Sequence, residues 1–201
     1  TNVKLPCSVM VLRCGRNPCT GQISMSRLHS STEVDLSPWI RSGDTVIWGQ
    51  AHAEPLTLTR TLIAQRRQFS RLRVFCGIGC SDTLMPEHTD AIDFFGYTAS
   101  GTHQKLAQAG VLDILPCHYS QLPSLIRSRQ IAIDVVLLQV SEPDNDGRYS
   151  LGLAHEYLIP ALDTARVIIA EVNPQVPWVA NSRTLKASEI SYLIQSQDGI
   201  V

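Results

Sequence analysis

Residues 131–140 read I-A-I-D-V-V-L-L-Q-V, a nearly continuous apolar run rich in β-branched side chains and interrupted by Asp134. A strand with one solvated face alternates apolar with polar residues, whereas a strand covered on both faces reads as an unbroken apolar block. The run therefore predicts a central strand of a parallel sheet, and Val167–Val172 (V-I-I-A-E-V) repeats its character. Parallel neighbours cannot be joined by a hairpin; they need crossovers, which are right-handed and usually helical. The fold class this demands is α/β: an open, mostly parallel sheet with helices on both faces.

The rest of the chain fits that demand. A short helix is expected near 37–41, then a turn at Ser42-Gly43-Asp44 and a strand at Thr45–Trp48. Pro55 suits the first turn of a following helix, in which Leu58, Leu62 and Ile63 form the apolar stripe and Arg60, Arg66 and Arg67 lie largely outside it. A strand at Leu72–Cys76 ends in Gly77-Ile78-Gly79, and a further one spans 92–97. A helix over 103–109, a strand over 113–115 and a helix over 121–127 come next. Beyond the central run, helices are expected over 155–165 and, with Ser188 as cap, over 188–195.

Residues 1–32 stand apart, with Cys7, Cys14, Cys19, Gly15, Pro18 and Gly21 and no period. They read as an extension or unstructured lead-in, and 33–201 as one α/β domain. Because the chain opens on Thr1 and Met25 sits just before the first orderly pattern, an upstream extension or a cut fragment is expected.

At 201 residues, 44% hydrophobic and 17% charged, the chain can bury a core without staples. A net charge of -1 with dispersed basic residues argues against a nucleic-acid partner. No apolar run approaches the roughly 18 residues of a membrane span, and the segment at 9–12 is too short for a signal peptide. A cytoplasmic or mitochondrial-matrix protein with reduced thiols is the expectation. None of the six cysteines forms a C-x-x-C pair, so no metal site is expected.

In open α/β sheets ligands bind beyond the carboxyl ends of the strands. Three loops follow strong strands there: 49–55 (GQAHAEP), 141–152 (SEPDNDGRYSLG) and 171–178 (EVNPQVPW). The first turns at Gly49 into a helix amino terminus, which can hold an anion, but it lacks a dinucleotide fingerprint or a Walker lysine. The second invites a calcium reading through Glu142, Asp144 and Asp146, which fails because Leu153 stands where the bidentate acid is required. Asn173-Pro174 ends the third strand and presents an amide at the same edge.

Together, I-R-S-G-D-T-V-I-W-G at 40–49, V-S-E-P-D-N-D-G-R-Y-S-L-G at 140–152 and I-I-A-E-V-N at 168–173 resemble the amino-terminal domain of the acetyl-CoA hydrolase/CoA-transferase family, which includes acetate and 4-hydroxybutyrate CoA-transferases. The resemblance extends from Glu33 to Gln195 and implies a CoA-transferase-like fold. It also implies that acyl-CoA and a small carboxylic acid are substrates, that no resident cofactor is needed, and that the enzyme is a homo-oligomer. In this family a glutamate attacks the thioester, giving a mixed anhydride and then a glutamyl-CoA thioester; water as acceptor gives hydrolysis. That glutamate belongs to a carboxyl-terminal catalytic domain, so the resemblance implies no catalytic residue here and an inactive isolated chain.

Carried over position by position, Gly49, Gln50, Ala51 and Pro55 line the acyl or carboxylate pocket. His52 can hydrogen-bond a carboxylate, and Ser141, Asp144, Gly147, Ser150 and Asn173 shape the neighbouring edge. Glu54 departs from the family pattern and is expected to face solvent. Two other functions compete: a stand-alone, noncatalytic acyl-CoA-binding or interaction domain, and a thiol hydrolase using Cys80 with His88 or His103 as base.

Overall fold

The computed structural model describes residues 10–12, 25–27 and 34–201. Two short strands, β1 (Met10–Leu12) and β2 (Met25–Arg27), pair antiparallel. The remainder of the expected lead-in lies outside the described residues, as do Cys7, Cys14 and Cys19.

From residue 34 onward the chain builds a seven-stranded sheet. Its strands are β3 (Thr45–Trp48), β4 (Leu72–Cys76), β5 (Ile92–Gly96), β6 (Leu112–Ile114), β7 (Val135–Val140), β9 (Val167–Val172) and β11 (Tyr192–Gln195). The order is β11-β9-β7-β3-β4-β5-β6, with every adjacent pair parallel. The chain starts at β3, winds outward through β4, β5 and β6, then returns to the other side of β3 as β7 and winds outward again through β9 and β11. The order reverses between β3 and β7, which is where such sheets bind ligands.

Alternation along each strand assigns the two faces. Val135 and Leu137 of β7 pack with Val167 and Ile169 of β9 against Leu58 and Leu62 of α1 (Leu56–Gln65) and Leu106 of α2 (Gln104–Gln108). Val136, Leu138 and Val140 point the other way, with Ile168, Ala170 and Val172, against Leu122 and Ile126 of α3 (Leu122–Arg127) and Leu158, Ala161 and Leu162 of α4 (Leu158–Thr164). Helices after β3 and after β7 thus lie on opposite faces, as right-handed crossovers wound in opposite directions require. All six residues of β7 are buried, each large aliphatic one contributing about 1.5–3 kcal/mol.

The expected open parallel sheet with helices on both faces is the fold found. Four local expectations are corrected. The strand within 131–140 begins only at Val135, because the Asp134 carboxylate accepts the N–H of Thr45 at 2.9 Å and turns the chain into the sheet. Residues 37–39 form a single turn rather than a helix, with Trp39 and Ile40 donating to the Leu36 carbonyl at 3.0 Å. The helix expected over 155–165 is confined to α4. The segment 188–195 is not a helix: a single 3-10 turn at Ala187–Glu189 leads into the edge strand β11. Its Tyr192 and Ile194 face α1 while Leu193 faces the opposite core, so two-residue alternation overrides helical propensity.

The loop over 141–152 also holds structure the sequence did not announce. Strand β8 (Arg148–Ser150) pairs antiparallel with β10 (Thr184–Lys186) in a separate ribbon beyond the main sheet. Among the described residues no helix is long and apolar enough to cross a membrane.

Candidate functional site

The loops after β3 and β7 meet at the point where the strand order reverses. Leaving β3, the chain turns at Gly49, where an added Cβ would lie 2.6 Å from the Ala53 carbonyl oxygen. Ala51 follows in the left-handed region at φ 51°, a conformation that costs a non-glycine residue roughly 1 kcal/mol and persists only where its surroundings enforce it. Its N–H donates to the Ile78 carbonyl at 2.8 Å. Pro55 then caps α1 from outside and accepts the N–H of Thr59 at 2.9 Å.

Gln50 is the hub. Its Oε1 accepts from the Tyr97 hydroxyl at 2.6 Å and from the Ile78 N–H at 3.1 Å, while Nε2 donates to Glu156 Oε2 at 2.7 Å. Glu156 is left-handed, at φ 36°, and this hydrogen bond joins it to Gln50, the chain neighbour of the left-handed Ala51 in the other loop. Tyr97, Tyr119 and Tyr157 pack edge to face around this pair, with ring centroids 5.2–6.1 Å apart, and Tyr157 rests on Phe75. Tyr157 is 1% exposed, and among the described residues its hydroxyl has no hydrogen-bond partner; neither has the buried Nε2 of His155, two residues earlier. Burial, with the Glu156 charge beside it, raises the Tyr97 phenol above its ordinary range.

A second polar group lies on the α1 face of the same edge. Gln139 and Glu171 are register partners on β7 and β9, both buried. Gln139 Nε2 donates to the His52 carbonyl at 2.5 Å, and its Oε1 accepts from Asn173 Nδ2 at 3.3 Å. This chain of bonds ties the loop over 49–55 to Asn173. Glu171 accepts the Leu58 N–H at 2.9 Å and the Ser196 hydroxyl at 3.0 Å, and burial lifts its pKa to about 7 against that partial compensation. The imidazole of His52 is placed outward, with Nδ1 at 2.5 Å from the Val201 carbonyl oxygen.

The residues of 141–152 form their own unit. Asp144 accepts the N–H groups of Asp146 and Arg148 at 3.0 and 2.8 Å and the Arg148 guanidinium at 2.8 Å. The Arg148 amide is the main reason its carboxyl stays below the ordinary range. Gly147, at φ 70°, closes the turn. Ser141 Oγ accepts the Ser150 N–H at 3.0 Å, and Ser150 Oγ accepts the N–H groups of Gly152 and Val179 at 3.2 and 3.1 Å. Asp144 and Gly147 thus set the shape of the ribbon tip, while Ser141 and Ser150 anchor it to the sheet and to the loop after β9.

Glu54, expected in solvent, is 4% exposed: it accepts from Thr59 Oγ1 at 2.9 Å and Ser81 Oγ at 2.6 Å. The hydroxyls of α1 and of the loop after β4 converge on it, which draws it inward. The thiol reading also loses its base. Cys80 is exposed, whereas His103 is buried with Nδ1 at 3.0 Å from the Gly77 carbonyl oxygen, and His88 Nδ1 accepts the Met85 N–H at 3.1 Å.

The sequence reading overlooked Gln139, Glu171, Tyr97, Tyr119, Glu156 and Tyr157. The first two had a signal, since each is the polar residue in a strand otherwise built for burial. The tyrosines and Glu156 had none, being gathered from three separate loops.

Comparison with known proteins finds that residues 25–201 match the model of the acetyl-CoA hydrolase/transferase N-terminal domain. A 4-hydroxybutyrate coenzyme A transferase of Clostridium kluyveri is 26% identical over 159 residues, covering 78% of this chain and 37% of that protein. A butyryl-CoA:acetate CoA-transferase of Anaerostipes caccae is 25% identical over 141 residues, covering 69% of this chain and 32% of its own length. The chain thus spans well under half the length of these relatives. The crystal structure of RipA from Yersinia pestis shares the fold with a TM-score of 0.77 at 24% identity, over 87% of this chain and 43% of that one. A 4-hydroxybutyrate CoA-transferase from Porphyromonas gingivalis superposes with a TM-score of 0.66 at 24% identity, over 87% of this chain and 40% of its partner in the comparison.

Proposed function

The chain belongs to the acetyl-CoA hydrolase/transferase family, as its amino-terminal domain, and from that premise we propose that it forms the acyl-recognising part of an enzyme that moves CoA between an acyl-CoA and a carboxylic acid. The observation that carries this reading is the Gln50–Glu156 hydrogen bond, which joins the loops after β3 and β7 at the reversal of strand order. Gly49, Gln50, Ala51 and Pro55 then line the acyl or carboxylate pocket, while His52, its ring turned outward, contributes its backbone carbonyl to Gln139 rather than an imidazole to the substrate. Asn173, linked to that loop through Gln139, borders it, and Ser141, Asp144, Gly147 and Ser150 hold the ribbon at its edge.

In the reaction proposed, a glutamate in the carboxyl-terminal part of the full polypeptide attacks the thioester carbonyl and displaces CoA thiolate, forming a mixed anhydride. The thiolate returns to the glutamyl carbonyl and releases the first acid. The second acid repeats these steps in reverse; water in its place gives hydrolysis. Coenzyme A is a substrate here, and no resident cofactor takes part. The exposed Ile78, Ile114, Tyr119, Leu153 and Trp178 all lie at or after carboxyl ends of strands. An apolar rim so placed suits the docking of the catalytic domain over the pocket.

The test is acyl exchange by the full-length polypeptide: butyryl-CoA and acetate should yield acetyl-CoA, read by chromatography. Absence of both exchange and acyl-CoA hydrolysis would overturn the proposal. Turnover by residues 1–201 alone would overturn the placement of the nucleophile.

A further inference from the structure

The polar cluster at the β3–β7 edge carries a charge whose partners are all neutral. Glu156 is exposed and accepts from Gln50, and it lies beside the phenols of Tyr119 and Tyr97. Nearby ionic residues in sequence and fold pair with other partners: Arg148 with Asp144, Arg183 with Asp163, Lys105 with Asp82 and Arg60 with Asp198. Among the described residues no arginine or lysine pairs with Glu156. Next to it in the chain, Tyr157 and His155 each bury a polar atom that has no partner among the described residues, and Gly77 leaves room for Tyr157 and Gln50: an added Cβ would overlap the Tyr157 hydroxyl and lie 2.7 Å from Gln50 Cβ. The segment 155–157 therefore combines a left-handed residue, an unneutralised carboxylate and two unpaired buried groups. Such features together mark sites kept for a ligand rather than for stability.

We propose that Glu156 is a specificity-determining residue: its uncompensated carboxylate, positioned by Gln50, makes the acyl pocket accept acids with one carboxylate and reject those with a second. The inference rests on the CoA-transfer reading above. A monocarboxylic acid places its only charge at the reacting centre, leaving an uncharged tail for the tyrosine cluster. A dicarboxylic acid sets a second anion against Glu156, which has no cationic partner among the described residues, and the like charges repel at close range. Negative potential at the cluster also shows in the Tyr119 phenol, which is raised first by burial and then by Glu156.

The experiment compares butyrate, glutarate and succinate as CoA acceptors for the full-length enzyme and for E156Q and E156D. Glutamine keeps an oxygen that accepts from Gln50 and removes the charge; aspartate keeps the charge. The wild type should favour butyrate over succinate at least tenfold in kcat/KM. E156Q should narrow that ratio at least tenfold, and E156D should preserve it. A purely structural role would lower both rates together and leave the ratio in place. An unchanged ratio in E156Q, or equal wild-type use of the two classes of acid, overturns the inference while butyrate transfer keeps the CoA-transfer reading intact. Should E156Q not fold, E156A and E156D make the same comparison: the ratio should narrow at least tenfold in E156A and hold in E156D, and an unchanged ratio in E156A overturns the inference. Absence of transfer to every acid overturns both.

Discussion

Glu171 Oε2 accepts the backbone N–H of Leu58 at 2.9 Å, so a carboxylate on the buried strand β9 satisfies an amide in the first turn of α1. The amino end of that helix is thus capped from across the sheet rather than from its own preceding residue, which is Pro55. The bond also fixes the end of the loop over 49–55.

Ionising Glu171 is unfavourable in the fold, since burial moves its pKa from 4.5 to about 7. Below pH 4.5 it is protonated folded and unfolded alike. Between 4.5 and 7 the unfolded chain loses the proton first, the folded state binds more protons, and stability falls as pH rises. The loss amounts to about 3 kcal/mol at pH 8. The E171Q variant escapes it and keeps an acceptor for Leu58, so urea denaturation should show a stability advantage near zero at pH 4.5, growing to a plateau above pH 7. A constant difference across that range would contradict the account.

Asp144 accepts two backbone amides and the Arg148 guanidinium within one turn. Replacing it with alanine should unfasten the tip of 141–152 and leave the main sheet intact, because β7 is held by β3 and β9. Hydrogen exchange at the Asp146 and Arg148 amides should accelerate about tenfold or more, while the amides of β7 keep their protection.

Strands buried on both faces announced themselves by composition: residues 135–140 and Val167–Val172 could be read as parallel strands because no solvated face interrupts them. The terminal strand β11 could not, since Y-L-I-Q is as compatible with one helical turn as with an edge strand, and only docking on β9 decides between them. The ribbon of β8 and β10 joins segments more than thirty residues apart, and local pattern carries no trace of such pairing. In the candidate site, the loop over 49–55 could be proposed from its place after a strand. Glu54 was misjudged because its partners Thr59 and Ser81 come from two different elements.

Gly77 is fixed by its neighbours rather than by its backbone angles. A methyl group there would overlap the Tyr157 hydroxyl and press on Gln50, both held by the surrounding rings. Gly77→Ala should destabilise the protein by about 1–3 kcal/mol in chemical denaturation. On the proposed function, in which Gln50 lines the acid pocket, it should also raise the KM for the acid in the full-length enzyme more than it lowers kcat. A variant as stable as the wild type would mean that Tyr157 moves aside without cost.

Tyr157 buries its ring to 1% exposure while its hydroxyl lacks a partner among the described residues. The ring packs on Phe75, Tyr97 and Tyr119, and that contribution is independent of the hydroxyl. Removing a partnered buried hydroxyl ordinarily costs about 1 kcal/mol, whereas an unpartnered one brings a desolvation cost with no hydrogen bond to offset it. Tyr157→Phe should therefore leave stability unchanged or raise it by about 1 kcal/mol. Tyr157→Ala, which removes the ring, should cost about 3–5 kcal/mol. The contrast separates packing from polarity at this position: a loss above about 1 kcal/mol in the phenylalanine variant, measured by urea midpoint at constant m-value, would show that the hydroxyl is hydrogen-bonded in the folded protein.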